Sequence, residues 1–497
     1  MNSGAMLNAY PDSMGGKLSD ITDILAMPEF KDAFRSFYIL PSLFHSDLDR
    51  GFSVIDYGID ERCASEAGLE ALKALGIDLK LDFVLNHLSV QSPQFKDLLE
   101  NGEASEYRDF FIDWNAFWAG CGEMTAEGYI RPRPELIKDM FFRKAGLPIL
   151  MVEFPDGRQV PYWNTFYQEV KTDGSGKRSY LGQMDVNASS SKVREYYAET
   201  LERLADYGAA LVRLDAFAYA AKAPGRRNFF NEPETWELLE DLQKTAGKRD
   251  LTLLPEIHAG YGEKTYEKMA AKGYPIYDFF LPGLIIDAFE RKSGEYIRAW
   301  GEELEEKAIT AVNMLGCHDG IPLLDLKGLL PEEDIQRLIG AVVSRGGKVK
   351  DLHGAKNVYY QVNATYYSAL GEDDGKMLAA RAVQLFMPGK PQIWYLDLFA
   401  GKNDYAAVER AGAGGHKEIN RTNLSREDVL NALDKPVVRK QLELLRFRNT
   451  FPAFAEGSCA GFKTEGSKLT VTRTCGSAEA VLTVDFDTSE YSISTSV

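Results

Sequence analysis

Residues 211–219 read Leu211-Val212-Arg213-Leu214-Asp215-Ala216-Phe217-Ala218-Tyr219. The run is apolar on both sides of Arg213, which is typical of a strand in a parallel sheet that is buried on both faces. Arg213 and Asp215 are two residues apart, so they face the same side of the strand. Two interpretations are open from this stretch alone. Asp215 is a catalytic nucleophile, or the two residues form a buried structural ion pair.

Two further apolar stretches end in acidic residues. Leu251-Thr252-Leu253-Leu254-Pro255 leads directly to Glu256, and the segment 311–320 ends in Cys317-His318-Asp319-Gly320. Parallel strands with helices between them gather their C-terminal ends on one face, where such enzymes carry their chemistry. Three acids at three strand ends therefore favour a catalytic site over an isolated ion pair.

Short apolar segments alternate with amphipathic helical segments along most of the chain. We predict eight strands, at 6–10, 36–40, 79–85, 210–214, 251–256, 275–279, 310–315 and 392–395. This pattern is typical of an α/β protein, and eight strands predict a closed (β/α)8 barrel of the TIM type.

Two insertions are expected over the active face, because the connections there are too long for simple loops. The predicted barrel comprises 1–87, 184–319 and 361–434, the insertions are 88–183 and 320–360, and a small antiparallel β domain follows at 435–497.

The composition limits the function classes. A net charge of −17 argues against nucleic-acid binding and requires a local basic cluster for any anionic substrate. No apolar run approaches the roughly 18 residues that a membrane span needs, and the first residues lack the pattern of a secretory signal, so we expect a cytoplasmic protein. The five cysteines show no CxxC spacing, and the sequence predicts neither a disulfide framework nor a metal site.

Four short motifs resemble, in order, those of the α-amylase superfamily, glycoside hydrolase family 13. They are Asp82-Phe83-Val84-Leu85-Asn86-His87, Val212-Arg213-Leu214-Asp215-Ala216, Glu256-Ile257-His258 and His318-Asp319. Further segments resemble the sucrose phosphorylase branch: Arg213 to Lys222, Leu254 to His258, Tyr277-Asp278-Phe279, Tyr360-Gln361-Val362-Asn363, Thr365 to Leu370 and Ala400-Gly401-Lys402-Asn403-Asp404.

This resemblance implies a retaining enzyme that uses two carboxyl groups about 5 Å apart. Asp215 is then the nucleophile, Glu256 is the acid/base, and Asp319 stabilises the transition state. The resemblance also implies a set of sugar-binding residues: Asp49, Phe52, His87, Gln183, Arg213, Tyr219, His318, Tyr360, Gln361 and Arg421. Each histidine, and Phe52, would equally suit the core if it were met outside these motifs.

The segment Tyr129-Ile130-Arg131-Pro132-Arg133-Pro134 resembles a family segment that holds phosphate. We expect Arg133 to bind phosphate together with Tyr360 and His353, since arginine binds oxyanions in a bidentate manner. The alternative is that the two arginines belong to a solvated loop. No cofactor is expected, and the expected small-molecule partners are a sugar donor and inorganic phosphate.

Two departures from the branch bear on the donor. Cys317-His318-Asp319-Gly320-Ile321-Pro322 replaces the usual Thr-His-Asp-Gly-Ile-Gly, and an aspartate usual before Tyr360 is missing near the basic residues Lys348, Lys350, His353 and Lys356. Both departures favour a phosphorylated donor. We expect phosphorolysis of sucrose 6'-phosphate or sucrose to α-glucose 1-phosphate and fructose 6-phosphate or fructose.

Other functions remain open from the sequence. They are phosphorolysis of glucosylglycerol or glucosylglycerate, hydrolysis or transglucosylation on the same barrel, and a non-catalytic carbohydrate-binding protein on this scaffold. The oligomeric state is not predicted.

Overall fold

A computed structural model describes residues 2–143, 146–174, 178–351, 359–412 and 414–497, with the backbone alone at 350, 351, 359 and 360. Eight parallel strands form its central sheet and are numbered β1 to β8 in chain order. They span Met6–Ala9, Ser36–Ile39, Asp78–Val84, Ala209–Asp215, Thr252–Pro255, Ile276–Asp278, Ala311–Met314 and Lys390–Trp394.

The strand order is that of a nearly closed barrel. Around the sheet it runs β5-β4-β3-β2-β1-β8-β7-β6, so strands adjacent in the chain are adjacent in the sheet. Among the described residues, only β5 and β6 lack a hydrogen-bonded ladder between them. The predicted eight strands and the barrel class are therefore confirmed.

Helices surround the barrel. The helix Ser191–Asp206 buries Val193, Tyr197, Leu201 and Leu204, at the three- and four-residue spacing of one helical face. It ends just before Gly208, whose φ of +89° lets the chain turn into β4. The helices of the described residues are Leu18–Leu25, Glu66–Ala74, Pro93–Asn101, Trp114–Phe117, Pro134–Ile137, Ser191–Asp206, Glu234–Lys248, Thr265–Ala271, Leu281–Arg291, Glu295–Glu306, Glu332–Ser344, Tyr366–Ala369, Asp374–Phe386, Tyr395–Leu398, Tyr405–Ala411, Arg426–Leu433 and Pro436–Thr450.

The segment between β3 and β4 has a core of its own. Ile112, Trp114, Trp118 and Trp163 form a buried cluster separate from the main core. The strands of this segment are His87–Ser89, Gly122–Met124, Ile130–Pro132, Ile149–Glu153, Gln159–Trp163, Gln168–Thr172 and Arg178–Asp185. The strand Arg178–Asp185 pairs with His87–Ser89 and so ties this segment to the end of β3.

Two smaller sheets border the same face of the barrel. A hairpin of Phe44–Ser46 and Val54–Ile59 follows β2 and carries Asp49 and Phe52 in its connection. After β7, Ile321–Pro322 and Lys348–Asp351 both pair with Tyr359–Asn363. The exact limits of the two predicted insertions remain predictions.

The chain ends in a four-stranded antiparallel sheet, as expected for its last segment. The strands are Cys459–Glu465, Lys468–Cys475, Ala478–Asp485 and Tyr491–Ser496. Ala478–Asp485 alternates buried and half-buried residues, because one face of the sheet packs on the barrel helices. Of the helices in the described ranges, none is long and apolar enough to cross a membrane.

Candidate active site

Arg213 brings two of the three strand-end carboxylates together. Its guanidinium Nη1 lies 2.8 Å from Asp215 Oδ1, and its Nη2 lies 2.6 Å from Glu256 Oε1. Nη1 also contacts Asp82 Oδ1 at 2.5 Å. The Arg213 side chain is only 3% exposed, so one buried cation binds three carboxylates from β3, β4 and the end of β5. The ion pair predicted for Arg213 and Asp215 is thus part of the candidate site.

Glu256 is held by further donors. The backbone N–H of Ala216 donates to Glu256 Oε2 at 3.1 Å, from a residue whose φ is +51°. The ring nitrogen Nε2 of His258 lies 3.5 Å from Glu256 Oε1, and its Nδ1 lies 3.2 Å from Asp325 Oδ2. The His258 ring also stacks on Phe279 with centroids 3.9 Å apart. These contacts fix both the imidazole and the carboxylate beside it.

The two carboxyl groups on Arg213 differ in acidity. Burial raises the pKa of Asp215 well above its usual value, and the nearby Glu256 carboxylate adds to this against the effect of Arg213. Burial would also raise the pKa of Glu256, but Arg213 and His258 outweigh it and lower that pKa. The two carboxyl groups therefore titrate as a pair, in which Glu256 is the more acidic in the ligand-free site.

Asp319 lies in a second cluster of charges. His318 Nε2 is 3.1 Å from Asp319 Oδ2, and Lys417 Nζ is 2.6 Å from Asp319 Oδ1. Arg421 Nη2 is 3.7 Å from the same Oδ1, and Arg421 Nη1 reaches Asp49 at 3.2 Å. Burial would raise the pKa of Asp319, but His318, Lys417 and Arg421 hold it well below its usual value. Asp319 is therefore a carboxylate in this site.

Phe52 and three polar residues form one wall. The Phe52 ring stacks on His318 with centroids 4.8 Å apart and planes 11° apart. Its carbonyl oxygen accepts hydrogen bonds from His87 Nε2 and from Gln183 Nε2, each at 2.9 Å. His318 Nδ1 and Arg421 Nη2 are among the buried polar atoms of the described residues that lack hydrogen-bond partners. Buried polar atoms are rarely left unpaired, so these atoms are suited to bind a polar ligand.

Tyr219 connects this wall to the insertion between β3 and β4. Its hydroxyl accepts hydrogen bonds from Arg143 Nε at 3.2 Å and Nη2 at 3.1 Å. The ring of Phe166 lies between Tyr219 and His87, with centroids 5.8 Å and 4.8 Å from theirs. Beneath them Lys222 pairs with Asp185 at 2.9 Å, and both side chains are almost fully buried.

The strand Tyr359–Asn363 borders the other side. Gln361 is buried, and its backbone pairs with Pro322 in the antiparallel ladder. Asn363 Nδ2 donates to the Asp319 carbonyl at 2.7 Å and so braces the loop that carries Asp319. The side chain of Tyr360 and all of His353 lie outside the described residues.

Arg133 lies on the surface of the insertion. Its Nε is 3.3 Å from Glu135 Oε1, its Nη1 donates to the Gly120 carbonyl at 3.1 Å, and its side chain is 50% exposed. None of these contacts is with the carboxylates described above. The phosphate-binding role expected of Arg133 remains a prediction.

Several residues of the site were not found by sequence reasoning. They are Arg143, Phe166, Asp185, Lys222, Asp325 and Lys417. Lys417 directly precedes the segment Glu418-Ile419-Asn420-Arg421, so its position was a usable signal. Asp325 stands 67 residues from its partner His258 and carries no local signal. Within the described residues, no group of three or more His, Cys, Asp or Glu side chains is placed to hold a metal ion.

Comparison with known proteins gives concordant matches. The family described as alpha amylase, catalytic domain, matches residues 38–279. A sucrose 6(F)-phosphate phosphorylase from Ilumatobacter coccineus is 55% identical, over 98% of this chain and 95% of that protein. A protein of the same name from Thermoanaerobacterium thermosaccharolyticum is 36% identical, over 91% of this chain and 89% of that protein.

A solved structure is similar over the whole chain. The crystal structure of sucrose 6F-phosphate phosphorylase from Thermoanaerobacter thermosaccharolyticum superposes with a TM-score of 0.89 at 33% identity. The match covers 100% of this chain and 96% of that chain. The similarity therefore includes the barrel, both bordering sheets and the C-terminal sheet.

Proposed function

Because this chain belongs to the sucrose phosphorylase group of the α-amylase family, we propose that it transfers a glucosyl unit from a sucrose-type α-glucoside to inorganic phosphate. The observation that carries this proposal is the pair Asp215 and Glu256 on one buried guanidinium. A retaining double displacement needs two such carboxyl groups close together, one as nucleophile and one as acid/base.

In the first half-reaction Asp215 attacks the anomeric carbon of the donor. The glycosidic bond breaks, its electron pair stays on the leaving-group oxygen, and Glu256 supplies the proton to that oxygen. In the second half-reaction phosphate attacks the same carbon, Glu256 accepts its proton, and the bond to Asp215 breaks. The product is α-glucose 1-phosphate, because two inversions retain the configuration.

The first half-reaction requires a protonated Glu256 and an ionised Asp215, which is the reverse of the order of their pKa values in the ligand-free site. We therefore propose that donor binding reverses the order of the two pKa values and favours proton transfer from Asp215 to Glu256. This transfer produces the ionised nucleophile and the neutral acid in a single step. Arg213 contacts both groups and stabilises whichever of them is charged.

The cluster around Asp319 is the proposed glucosyl pocket. Asp319 and Asp49 are ionised acceptors for sugar hydroxyls, and Arg421 Nη2, which has no hydrogen-bond partner among the described residues, is a donor. The ring of Phe52 is the proposed stacking surface for the sugar, with His87, His318 and Gln183 around it as hydrogen-bond partners.

For the donor we propose sucrose 6'-phosphate in preference to sucrose. Support comes from the two similar proteins that carry the name sucrose 6(F)-phosphate phosphorylase and from the basic residues after β7. Lys348 of that segment lies with its Nζ 6.0 Å from the ring centroid of Tyr405. A cation there would hold the phosphate of fructose 6-phosphate against the negative field of the chain.

For the phosphate that attacks the intermediate we propose a site beside Tyr219, Tyr360 and Gln361, with Arg133 and His353 as cationic ligands. The contact of Arg143 with the Tyr219 hydroxyl makes Arg143 a second candidate cation. Activity of Arg133→Gln and Arg143→Gln variants over a range of phosphate concentrations tells the two apart. If the substituted arginine binds phosphate, its variant is expected to have a KM for phosphate raised about tenfold or more.

The experiment that tests the function measures glucose 1-phosphate from sucrose and from sucrose 6'-phosphate, each with and without inorganic phosphate. We expect phosphate-dependent release, faster from the phosphorylated donor at low concentration. Free glucose released regardless of phosphate identifies a hydrolase, and equal rates from both donors refute the donor assignment.

The nucleophile is tested with matched amide variants. Asp215→Asn is expected to lower turnover at least about 10³-fold, because no covalent intermediate forms. Asp287→Asn makes the same change at a buried carboxylate that pairs with Arg291 and Arg337 on outer helices, and we expect turnover within severalfold of the native chain. Equal activity of both variants contradicts the assignment of Asp215.

A further inference from the structure

A basic cavity lies at the opposite end of the barrel from the candidate active site. Its volume is about 330 Å³, which is within the usual range for small-molecule sites. It is lined by Gly4 before β1, Arg35 before β2, Gly76 before β3, and Arg448 and Phe454. Gly4, Arg35 and Gly76 lie just before the starts of their strands, whereas Asp215 and Glu256 lie at the ends of theirs, so the length of the barrel separates the two sites.

The charge of the lining is opposite to that of the chain. Two arginines and no acidic residue line the cavity, although the chain has 74 acidic and only 57 basic residues. Arg35 lies at the rim, with a side chain 43% exposed and an ion pair to Asp32 at 3.1 Å. Arg448 lies at the base and is only 2% exposed.

Arg448 is a buried cation without an acidic partner among the described residues. Its Nε donates to the Leu385 carbonyl at 2.9 Å, and its Nη2 donates to the Gly389 carbonyl at 3.3 Å. These bonds satisfy the end of the helix Asp374–Phe386 and leave Nη1 without a hydrogen-bond partner there. Burial lowers the pKa of Arg448 to about 9, as expected for a cation that lacks a counter-ion.

Two more buried cations stand behind the lining. The Arg473 guanidinium carbon lies 5.9 Å from the Phe454 ring centroid, and its Nη1 is 3.7 Å from Glu305 Oε1. Lys390 Nζ donates to the carbonyl oxygens of Asn2 at 3.0 Å and Gly4 at 2.9 Å. Burial lowers the pKa of Lys390 to about 7. A bound anion would compensate Arg448, the lining arginine that lacks an acidic partner among the described residues.

The geometry points to an anion site at this cavity, in which Arg448 and Arg35 bind the phosphate group of inorganic phosphate or of a small phosphate ester. Guanidinium groups suit phosphate because their N–H donors match its oxygens. Thr450 also lines the cavity, and its hydroxyl donates to the Arg446 carbonyl at 2.8 Å. The site is independent of the proposed reaction, since none of its residues contacts the strand-end carboxylates.

The test is the number of phosphate ions bound per chain, measured by equilibrium dialysis with labelled inorganic phosphate. The native chain is expected to bind one more equivalent than the Arg448→Gln variant. The matched control is Arg446→Gln, which lies on the same helix and donates to the Lys31 and Glu29 carbonyls outside the cavity. It is expected to bind as the native chain does. Equal stoichiometry in Arg448→Gln and the native chain overturns the proposal.

A second variant covers the case in which Arg448→Gln does not fold. Arg35→Gln removes only a rim cation, and we expect it to weaken phosphate binding at this site severalfold. Unchanged affinity in Arg35→Gln then overturns the proposal. Competition by glucose 1-phosphate against labelled inorganic phosphate shows whether the site takes a phosphate ester or only the free ion. Displacement at the Arg448-dependent site identifies a phosphate ester, and its absence identifies free phosphate.

Discussion

At the scale of single residues, the candidate site depends on how buried charges are paired. Arg213 compensates three carboxylates, and Asp82 accepts in addition from the Tyr38 hydroxyl at 2.7 Å. Lys80, two residues before Asp82 on β3, is buried in the barrel and donates to Gln392 Oε1 at 2.7 Å. Removing the acidic partners of a buried cation strongly destabilises the folded state. The charges inside this barrel therefore constrain each other and the carboxylates above them.

His258 yields a prediction for stability against pH. Burial would lower its pKa, but Asp325 and Glu256 outweigh it and raise the pKa to about 10. The unfolded value is about 6.5, so the protonated ring stabilises the fold fully below that pH, and this stabilisation is lost as the pH rises toward 10. In His258→Gln we expect a smaller loss of unfolding free energy between pH 7 and pH 9.5 than in the native chain, by urea denaturation.

The matched control for this prediction is His45→Gln. The His45 side chain is 45% exposed, and its contact is with Asp56 in the hairpin after β2. At this exposed site we expect the substitution to change the unfolding free energy at pH 7 by less than about 0.5 kcal/mol. Parallel curves for the native chain and His258→Gln would contradict the role given to Asp325 and Glu256.

At the scale of elements, the position of Asp319 in the loop after β7 depends on the residue that follows it, Gly320. Gly320 has a φ of +100°, and a Cβ at this position would lie 2.5 Å from the Val362 carbonyl oxygen on the strand Tyr359–Asn363. Only glycine fits here, because both the backbone conformation and the space exclude a side chain. The close approach of loop and strand thus fixes the carboxylate of Asp319.

We predict that Gly320→Ala displaces this loop. The expected results are a loss of about 1–3 kcal/mol in unfolding free energy and a turnover lowered at least tenfold, because Asp319 moves. Chemical denaturation and steady-state kinetics on the same preparations measure both. Gly340→Ala is the control, since its Cβ would meet no atom within 4 Å and it lies inside the helix Glu332–Ser344. Native turnover in Gly320→Ala would show that the loop is not held by this contact.

At the scale of the whole molecule, the C-terminal sheet acts as a support for the barrel helices. Gly301 of the helix Glu295–Glu306 allows the Phe462 ring to pack directly on the helix backbone, where a Cβ would lie 2.3 Å from Phe462 Cζ. Leu469 and Phe486 pack in the same way over Gly294. These contacts are made by helices outside the barrel, away from the strand ends that carry the carboxylates.

We therefore predict that Phe462→Ala changes stability but not chemistry. Loss of this packing is expected to cost about 1–3 kcal/mol of unfolding free energy, while kcat stays within twofold of the native value. Thermal unfolding and initial rates below the transition measure the two effects. Leu430→Ala, at a side chain 42% exposed, is the control and should change stability by less than about 0.5 kcal/mol. A large fall in kcat for Phe462→Ala would mean that the sheet acts on the site.

The local sequence pattern was sufficient to predict the barrel and the carboxylates at its strand ends. The apolar strands followed by Asp215, Glu256 and Asp319 could be predicted from the sequence, because strand burial and strand-end position are local properties. The helix Ser191–Asp206 could be predicted for the same reason, since its buried residues recur at the three- and four-residue spacing of a helix.

Contacts between segments that are distant in the chain could not be predicted from the sequence. Lys417 binds Asp319, Asp325 orients His258, and Arg143 binds Tyr219, and each pair joins loops that are far apart in the chain. No local pattern predicts such contacts, because they depend on how the loops fold over the barrel face. The charges of the loop residues are written in the chain, but which carboxylate or hydroxyl each one meets is set by long-range packing.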